Sequence, residues 1–200
     1  NPYPAGYHDR DYDANYPGPW SAPNVTQNNV KSMNSYAAIE GSQLSDLFTF
    51  EYVDTGERQY YKLTGVKEGF YTRIQNSSTI VIGANYYTNE HGDKPIEVIG
   101  SEAFKMTASN MTKYPDRWII SFTSSSAIRV VEDSAFIDNW KMESIMLPNT
   151  VTNIGEYAFA ITDSMYASIV ASGLTPRLVI DSLPTDLFSI GSYAFKNQKN

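Results

Sequence analysis

The sequence predicts an α/β repeat protein, a solenoid with short parallel strands on one side and short helices or turns on the other. The first observation is a pattern, aliphatic-x-x-aliphatic-(Gly)-x-x-Ala-Phe, that occurs four times with the same ending. The second is its spacing, since the phenylalanines of the four copies lie 32, 23 and 36 residues apart, at Phe104, Phe136, Phe159 and Phe195. A 23-residue unit with two insertions accounts for all three steps, and self-similarity at such a period is typical of stacked repeats.

Each unit is too small to bury its own apolar face, so stacking of the units must supply the core. The two aliphatic positions of each copy are predicted to point inward, and each phenylalanine to fill the interior beneath its turn. The aliphatic pairs are Ile96 with Ile99, Ile128 with Val131, Val151 with Ile154, and Leu187 with Ile190. Three copies carry a glycine, Gly100, Gly155 or Gly191, which predicts a tight or left-handed turn there. The second copy has Glu132 at this position, so a positive φ cannot be obligatory.

Four apolar runs between the copies predict the strands of the parallel sheet. They are residues 79–82, 118–122, 145–147 and 178–180. The longer of the two insertions predicts a helix, with Asp163 as its N-cap and with Gly173 and Pro176 at its end.

The N-terminal quarter of the chain lacks the repeat. Alternating aromatic residues flank an Asp/Gly turn at Asp54–Arg58, which predicts a β-hairpin that caps the open end of the solenoid. Residues 1–34 hold five of the ten prolines and show no apolar periodicity, which is typical of a solvated tether. A short helix is possible before the hairpin. The predicted domains are a flexible Pro/Asn/Tyr-rich tether at 1–47, a β-hairpin cap at 48–78 and the solenoid at 79–200.

The composition excludes several classes of function. A formal net charge of −7 argues against nucleic acid and against a polybasic membrane-surface role, because no basic stripe is present to neutralise phosphates. The absence of cysteine excludes disulfides, thiol catalysis and Cys-ligated metals. No apolar run is long enough to span a membrane, so the protein is not expected to be transmembrane. The first residue is Asn1, which suggests that a signal peptide has been removed.

The compact third unit carries a series of recurring positions: Ala135-Phe136, Asn139, Met142, Ile145, Leu147-Pro148, Thr150-Val151, Ile154-Gly155 and Ala158-Phe159. With these residues it resembles the BspA-like class of leucine-rich repeats. Asn139, Met142 and Thr150 replace the commoner Cys, Leu and Ser, and the likeness covers roughly residues 79–200. It implies a right-handed leucine-rich-repeat solenoid in a secreted or surface-anchored bacterial protein. It also implies a role in adhesion, through protein–protein interaction with host matrix proteins or other cells.

Catalysis is not expected. Neither a G-x-S-x-G sequence nor a phosphate-binding loop nor an H-E-x-x-H sequence occurs. His91 lies in a polar turn and is predicted to be a solvated loop residue. The acidic residues Glu102, Asp133 and Glu156 occupy equivalent turns, and a glycosidase carboxylate pair is a remote alternative. No catalytic residue and no cofactor is therefore assigned.

One segment has the alternating acidic residues with which a calcium loop begins, at Asp9, Asp11, Asp13 and Asn15. Calcium loops of this kind also need a glycine and a closing carboxylate, and Ala14 and Trp20 stand at those two positions. The interpretation is a solvated acidic tether, and no metal site is assigned.

The outer face of the predicted sheet is the candidate binding surface. Alternation along the strands places six side chains there: Ile119, Ser121, Ser144, Met146, Arg177 and Val179. Ile119, Met146 and Val179 are predicted to form an apolar ladder across neighbouring strands, and exposed apolar patches often mark interaction surfaces. Two alternatives remain: another domain or repeat covers the ladder, or the register differs by one residue and these side chains belong to the core.

Two further functions remain open beside binding to an extracellular-matrix or cell-surface protein. A carbohydrate-binding module would use Tyr60, Tyr61, Tyr86 and Tyr87 as stacking platforms, although tyrosines that pack on their own hairpin are the more ordinary interpretation. A passive structural spacer would display other domains and bind nothing itself.

Overall fold

A computed structural model describes residues 37–180 and 182–198 of the chain. The calcium-like pattern at Asp9–Asn15, His8 and most of the predicted tether lie outside the described residues. No helix in the described part of the chain is both long and apolar enough to cross a membrane.

The solenoid is built from two sheets that enclose one core. The first sheet is parallel and contains β3 (Thr79–Ile82), β6 (Trp118–Phe122) and β8 (Met142–Met146) in that order. Single bridges extend it at either edge, from Ile39 to Ile82 and from Ser144 to Val179. The second sheet has the order β1 (Phe48–Asp54), β2 (Gln59–Val66), β5 (Gly92–Ile99), β7 (Val130–Val131), β9 (Asn153–Ile154) and β10 (Ser189–Ile190), with β4 (Asn85–Thr88) antiparallel to β5.

The prediction of short parallel strands is confirmed, because β3 and β6 cover the predicted runs residue for residue. The run at 178–180 contributes only the bridge at Val179. The second sheet was not predicted. Its strands β7, β9 and β10 have two residues each, which is too short for an alternating pattern to be visible in the sequence.

Two α-helices flank the sheets, α1 (Glu68–Ser77) and α2 (Asp163–Ala171), and short 3-10 helices cover Gly41–Asp46 and Met111–Lys113. The prediction of α2 is confirmed, although its N-cap is Thr162, whose hydroxyl oxygen accepts the Met165 N–H at 3.4 Å. Gly173 ends the helix with φ of 74°. Helix α1 lies in the segment assigned to the hairpin cap and was missed; it buries Phe70 and Ile74.

The predicted hairpin is present as β1 and β2, which pair antiparallel around the turn at Asp54–Arg58. The Gly56 N–H donates to Asp54 Oδ1 at 2.8 Å, and this hydrogen bond lowers the pKa of the Asp54 carboxyl below its ordinary value. Strand β2 then pairs in parallel with β5, so the hairpin continues the second sheet. The tether prediction is wrong for residues 38–47, because Ile39 and Leu44 are buried in the core.

A column of phenylalanine rings runs through the core, with one ring from each Ala-Phe turn. Phe104 stacks on Phe136 with ring centroids 4.7 Å apart, Phe136 on Phe159 at 5.0 Å, and Phe159 on Phe195 at 5.3 Å. The planes of each pair lie within 13° of parallel. The predicted role as interior plugs is therefore confirmed for Phe104, Phe136 and Phe159, whereas Phe195 is only partly buried.

A buried asparagine ties the column to the backbone. Asn139 donates from Nδ2 to the Phe104 carbonyl oxygen at 2.8 Å, and its Oδ1 accepts the Trp118 Nε1–H at 3.2 Å. Both partners lie in the preceding unit, so this side chain links adjacent units and satisfies the buried indole N–H.

The predicted tight turn begins at the glycine, as at Gly100, whose carbonyl oxygen accepts the Ala103 N–H at 3.2 Å. The left-handed residue of the turn is the one before Ala-Phe, so the alternative of a left-handed glycine is wrong. Glu102, Ser134, Tyr157 and Tyr193 all have φ between 55° and 59°. The glycine is needed for space: a Cβ at Gly155 would lie 2.5 Å from the Asp133 backbone nitrogen of the preceding unit.

Three of the four predicted inward pairs are buried. They are Ile96 with Ile99, Ile128 with Val131, and Val151 with Ile154. The fourth pair differs, since Leu187 is only partly buried and Ile190 is 47% exposed. The reason is positional: Ile190 lies on the last strand of the second sheet, and no described residue covers its far side.

Replacing one ring of the column tests how much the column contributes to the free energy of unfolding. We expect Phe159→Ala to lower the free energy of unfolding by about 3–5 kcal/mol, because a buried ring with two stacking partners leaves a cavity. Urea denaturation followed by circular dichroism measures the change. Phe188→Ala is the matched control, since Phe188 is 89% exposed. Equal losses in the two variants would contradict the role of the column.

The turn assignment predicts opposite effects at two positions. Gly155→Ala should lower the free energy of unfolding by about 1–3 kcal/mol, because the added methyl group overlaps Asp133. Ser134→Gly should leave it unchanged or raise it by up to about 1 kcal/mol, because glycine relieves a left-handed residue. The same denaturation experiment applies, and a destabilised Ser134→Gly would place the turn constraint elsewhere.

Candidate interaction surface

The outer face of the first sheet consists of two rows of side chains. Pairing of the strands aligns Thr79, Ile119, Ser144 and Val179 in one row, and Val81, Ser121 and Met146 in the other. The inward row between them is formed by Ile80, Ile120 and Ile145, which are fully buried. The alternative that the outer residues are core through a one-residue shift is therefore wrong.

The predicted apolar ladder is not continuous. Ile119 lies opposite Ser144, and Met146 lies opposite Ser121, so apolar and hydroxyl side chains alternate within each row. An irregularity between Trp118 and Ile119 sets this pairing. Apolar side chains therefore meet diagonally, with small polar groups between them.

Exposure differs among the six candidate residues. Met146 is 47% exposed and Arg177 is exposed, whereas Ile119, Ser144 and Val179 are partly buried. Ser121 is buried on this face. Met146 is therefore the main apolar protrusion of the surface.

An open cleft of about 420 Å³ adjoins the row that contains Val179, where the chain passes from α2 to this residue. Arg117 is paired with Glu143 at 2.7 Å, and the Lys141 ammonium lies 3.5 Å from Asp116. Arg177 lines the same cleft, and within the described residues it has no ion-pair partner. The cleft therefore has three basic side chains (Arg117, Lys141 and Arg177) and two acidic ones (Asp116 and Glu143), although the whole chain has a net charge of −7.

Sequence reasoning missed the other residues of this cleft. Trp140 and Lys141 lie together at its wall, with the ammonium 5.6 Å from the indole centroid. The cleft joins residues 116–117, 140–143 and 174–179, which are distant in the chain and share no motif. No pattern within any one segment could have indicated it.

Two of the four candidate tyrosines, Tyr61 and Tyr86, are used in packing. Tyr61 is buried, and its hydroxyl lies 2.6 Å from the Thr88 hydroxyl. Tyr86 stacks on Phe50 with centroids 4.1 Å apart, and burial raises the pKa of its phenol above the ordinary value. Tyr60 is partly buried. Tyr87 is the exposed member of the four, with its hydroxyl donating to Asn89 Oδ1 at 3.3 Å.

The titratable candidates have structural partners. The His91 ring stacks on Tyr52 with centroids 3.7 Å apart and planes within 5°. Glu102 is paired with Lys105 at 2.9 Å, and Asp133 accepts the Glu156 N–H at 2.7 Å. In residues 37–180 and 182–198, His, Asp and Glu side chains form no group that could hold a metal ion.

Comparison with known proteins gives one structural likeness and one family match. No curated protein matches the chain. The crystal structure of Pneumococcal vaccine antigen PcpA is similar at 15% sequence identity with a TM-score of 0.39, over 82% of this chain and 49% of that one. The chain therefore spans about half the length of that structure. The family described as BspA type leucine rich repeat region matches residues 66–175 in six copies. This match takes in more than half of the chain, which therefore belongs to the BspA-type leucine-rich-repeat family.

Proposed function

We propose that this chain is a non-catalytic leucine-rich-repeat protein that binds another protein through the outer face of its first sheet. The residues of the proposed site are Ile119, Ser121, Ser144, Met146, Arg177 and Val179. The observation that carries the proposal is the exposed side chain of Met146 on a sheet whose opposite face carries the buried residues Ile80, Ile120 and Ile145.

The composition of this face supports a protein partner. Methionine adapts its shape to an opposing surface, and arginine is enriched in protein interfaces. The serines between the apolar side chains supply hydroxyl groups for hydrogen bonds without bulk. Arg177 offers a cation that is not committed to an ion pair with a described residue, which favours a partner with an acidic group near the apolar contact.

The proposed partner is an extracellular-matrix or cell-surface protein, and the proposed location is extracellular or cell-surface anchored. The likeness of the repeat to surface proteins of the BspA type supports both.

A right-handed coil belongs to the proposal as well, because crossovers between parallel strands are right-handed in about 98% of cases. So does a capping role for the hairpin β1–β2, which occupies the N-terminal edge of the second sheet.

Carbohydrate binding has less support. Of the four tyrosines in question, Tyr61 and Tyr86 pack their rings against other aromatic rings of the protein. A sugar-binding platform needs an accessible ring face, and Tyr87 alone of the four is exposed. The spacer alternative differs from both, since it predicts no ligand at all.

A binding screen with matched variants tests the proposed face. Purified chain is screened against a panel of extracellular-matrix proteins and a glycan array. Met146→Lys should weaken a protein hit at least about tenfold, because it places a charge in the centre of the contact. Val170→Lys is the control, since Val170 is exposed to a similar degree, 48% against 47%, but lies on α2.

The same screen separates the alternatives. A protein hit that survives Met146→Lys would remove the sheet face as the site. A glycan hit lost in Tyr87→Ala but kept in Met146→Lys would favour the carbohydrate-binding module. Thermal unfolding of each variant shows whether the fold is intact.

A further inference from the structure

One lysine of the cleft beside the first sheet has a weak ion pair. In the described residues, six Lys or Arg side chains are paired at 2.6 to 2.9 Å, whereas the Lys141 ammonium lies 3.5 Å from the Asp116 carboxylate. The Asp116 side chain is fully exposed, and the Lys141 side chain is only 12% exposed. Because water solvates the carboxylate, it compensates the charge of the nearly buried ammonium only weakly.

The other contacts of Lys141 are with neutral groups. Its Nζ donates to the Tyr114 carbonyl oxygen at 3.1 Å and lies 5.6 Å from the centroid of the Trp140 indole ring. A carbonyl oxygen and an aromatic face both attract a cation, but neither carries a negative charge. An ammonium has three N–H groups, and one of them has an acceptor at hydrogen-bond distance among the described residues. Lys141 therefore retains donors for an anion that enters the cleft.

A second cation lines the same cleft. Arg177 is exposed and has no ion-pair partner in the part of the chain that the structure describes. Glu143, which also lines the cleft, is neutralised by Arg117 at 2.7 Å. Charge complementarity therefore favours an anionic group as the occupant.

The cleft is continuous with the proposed binding face. Its lining comes from three consecutive units, and the middle segment, residues 140–143, has a described unit on either side. Val179 lines the cleft and also belongs to one row of the outer face. Met146 lies three residues beyond Glu143 on β8, which corresponds to about 10 Å along a strand. One extended segment of a partner can therefore reach the cleft and Met146 with side chains about three positions apart.

The arrangement of charges favours a single carboxylate over a polyanion. Two cations of the cleft lack a close ionic partner, Lys141 and Arg177. A sulfated glycan or a nucleic acid carries a run of negative charges, which would also meet Asp116 and Glu143 on this surface. An Asp or Glu side chain of a polypeptide brings one negative charge, and its neighbours in the chain can be apolar.

We propose that the partner places one carboxylate side chain in this cleft, where it accepts hydrogen bonds from Lys141 and Arg177, and an apolar side chain against Met146. This inference rests on the proposed binding through the outer face and specifies the chemistry of the partner. The segment bound carries an Asp or Glu about three positions from an apolar residue. Hydrogen bonds between charged groups are stronger than those between neutral groups, so the cleft selects for the acidic residue.

Titration with short peptides tests the two contacts separately. The probe is a peptide of about nine residues with one aspartate three positions from one leucine, in either order, and serine elsewhere. Asparagine replaces the aspartate in one matched peptide, and serine replaces the leucine in another. Binding to the isotope-labelled whole chain is followed by NMR, with the indole N–H of Trp140, assigned with Trp140→Phe, as reporter. We expect the asparagine peptide to bind at least about tenfold more weakly than the aspartate peptide.

Variants of the chain locate the carboxylate. Lys141→Met keeps an unbranched side chain beside Trp140 but removes the charge, and it should weaken binding of the aspartate peptide at least about fivefold. Arg177→Gln tests the same contact at an exposed position, where the fold does not depend on the side chain. Lys67→Met is the matched control and should bind like the unaltered chain. Lys67 also donates to a backbone carbonyl oxygen, that of Ser45 at 2.6 Å, but does not line the cleft.

Each outcome decides one part of the inference. Equal binding of the aspartate and asparagine peptides would overturn the carboxylate contact, and so would the absence of binding at about 1 mM peptide. Full affinity in both Lys141→Met and Arg177→Gln would remove the cleft as the site. A heparin fragment that displaces the peptide and binds more tightly would overturn the choice of a polypeptide carboxylate. Loss of the dependence on leucine alone would instead count against the outer face, while the carboxylate contact would stand.

Discussion

The stacked phenylalanine column is the constraint on which the rest of the fold depends. The three centroid spacings, 4.7, 5.0 and 5.3 Å, lie close to the separation of paired strands in a sheet, which is about 4.8 Å. One ring per unit therefore sets the same rise for the core and for the parallel strands of both sheets. The spacings stay nearly constant although the chain takes 32, 23 and 36 residues to pass from one ring to the next. Inserted residues, including helix α2, must consequently leave the stack and return to it at the next unit.

The turn geometry follows from this fixed rise. Units that approach within about one strand separation leave no room for a Cβ at Gly155 or Gly191, whose neighbours are backbone atoms of the preceding unit. Glu132 occurs at the same position of the second unit. Its carboxylate accepts from Lys62 at 2.8 Å and from the Ser101 N–H at 2.9 Å. At the levels of Gly155 and Gly191, adjacent units are therefore in close backbone contact. At the level of Glu132, the contacts of its carboxylate with Lys62 and Ser101 join the units instead.

The sequence was sufficient where one segment carried the whole signal. Strand β6 and the column could be predicted because Trp118–Phe122 and the four Ala-Phe endings recur as local patterns. Helix α1 was missed since its ten residues contain only three buried side chains and its C-cap, Ser78, is left-handed without being a glycine. Alternation predicted which residues of the candidate surface face outward. It did not predict their diagonal arrangement, because the irregularity at Trp118 depends on pairing between distant strands.

The first and last described rings of the column differ in their aromatic contacts. At the N-terminal end, Phe48 and Phe70 contact Phe104 at steep angles, with centroids 6.0 and 5.7 Å away and planes tilted by 67° and 66°. Rings at these angles pack edge-on against Phe104 and present no parallel face on which a further ring could stack. The other ring face of Phe195 has no aromatic partner among the described residues, and it borders an open cleft whose lining also includes Arg177 and Gln198. The core therefore has one end closed by edge-on aromatic packing, while the outer face of the first sheet lies along the side of the stack. Because the backbone register is fixed by the column and not by that face, an exposed side chain such as Met146 can be replaced without disturbing the stack.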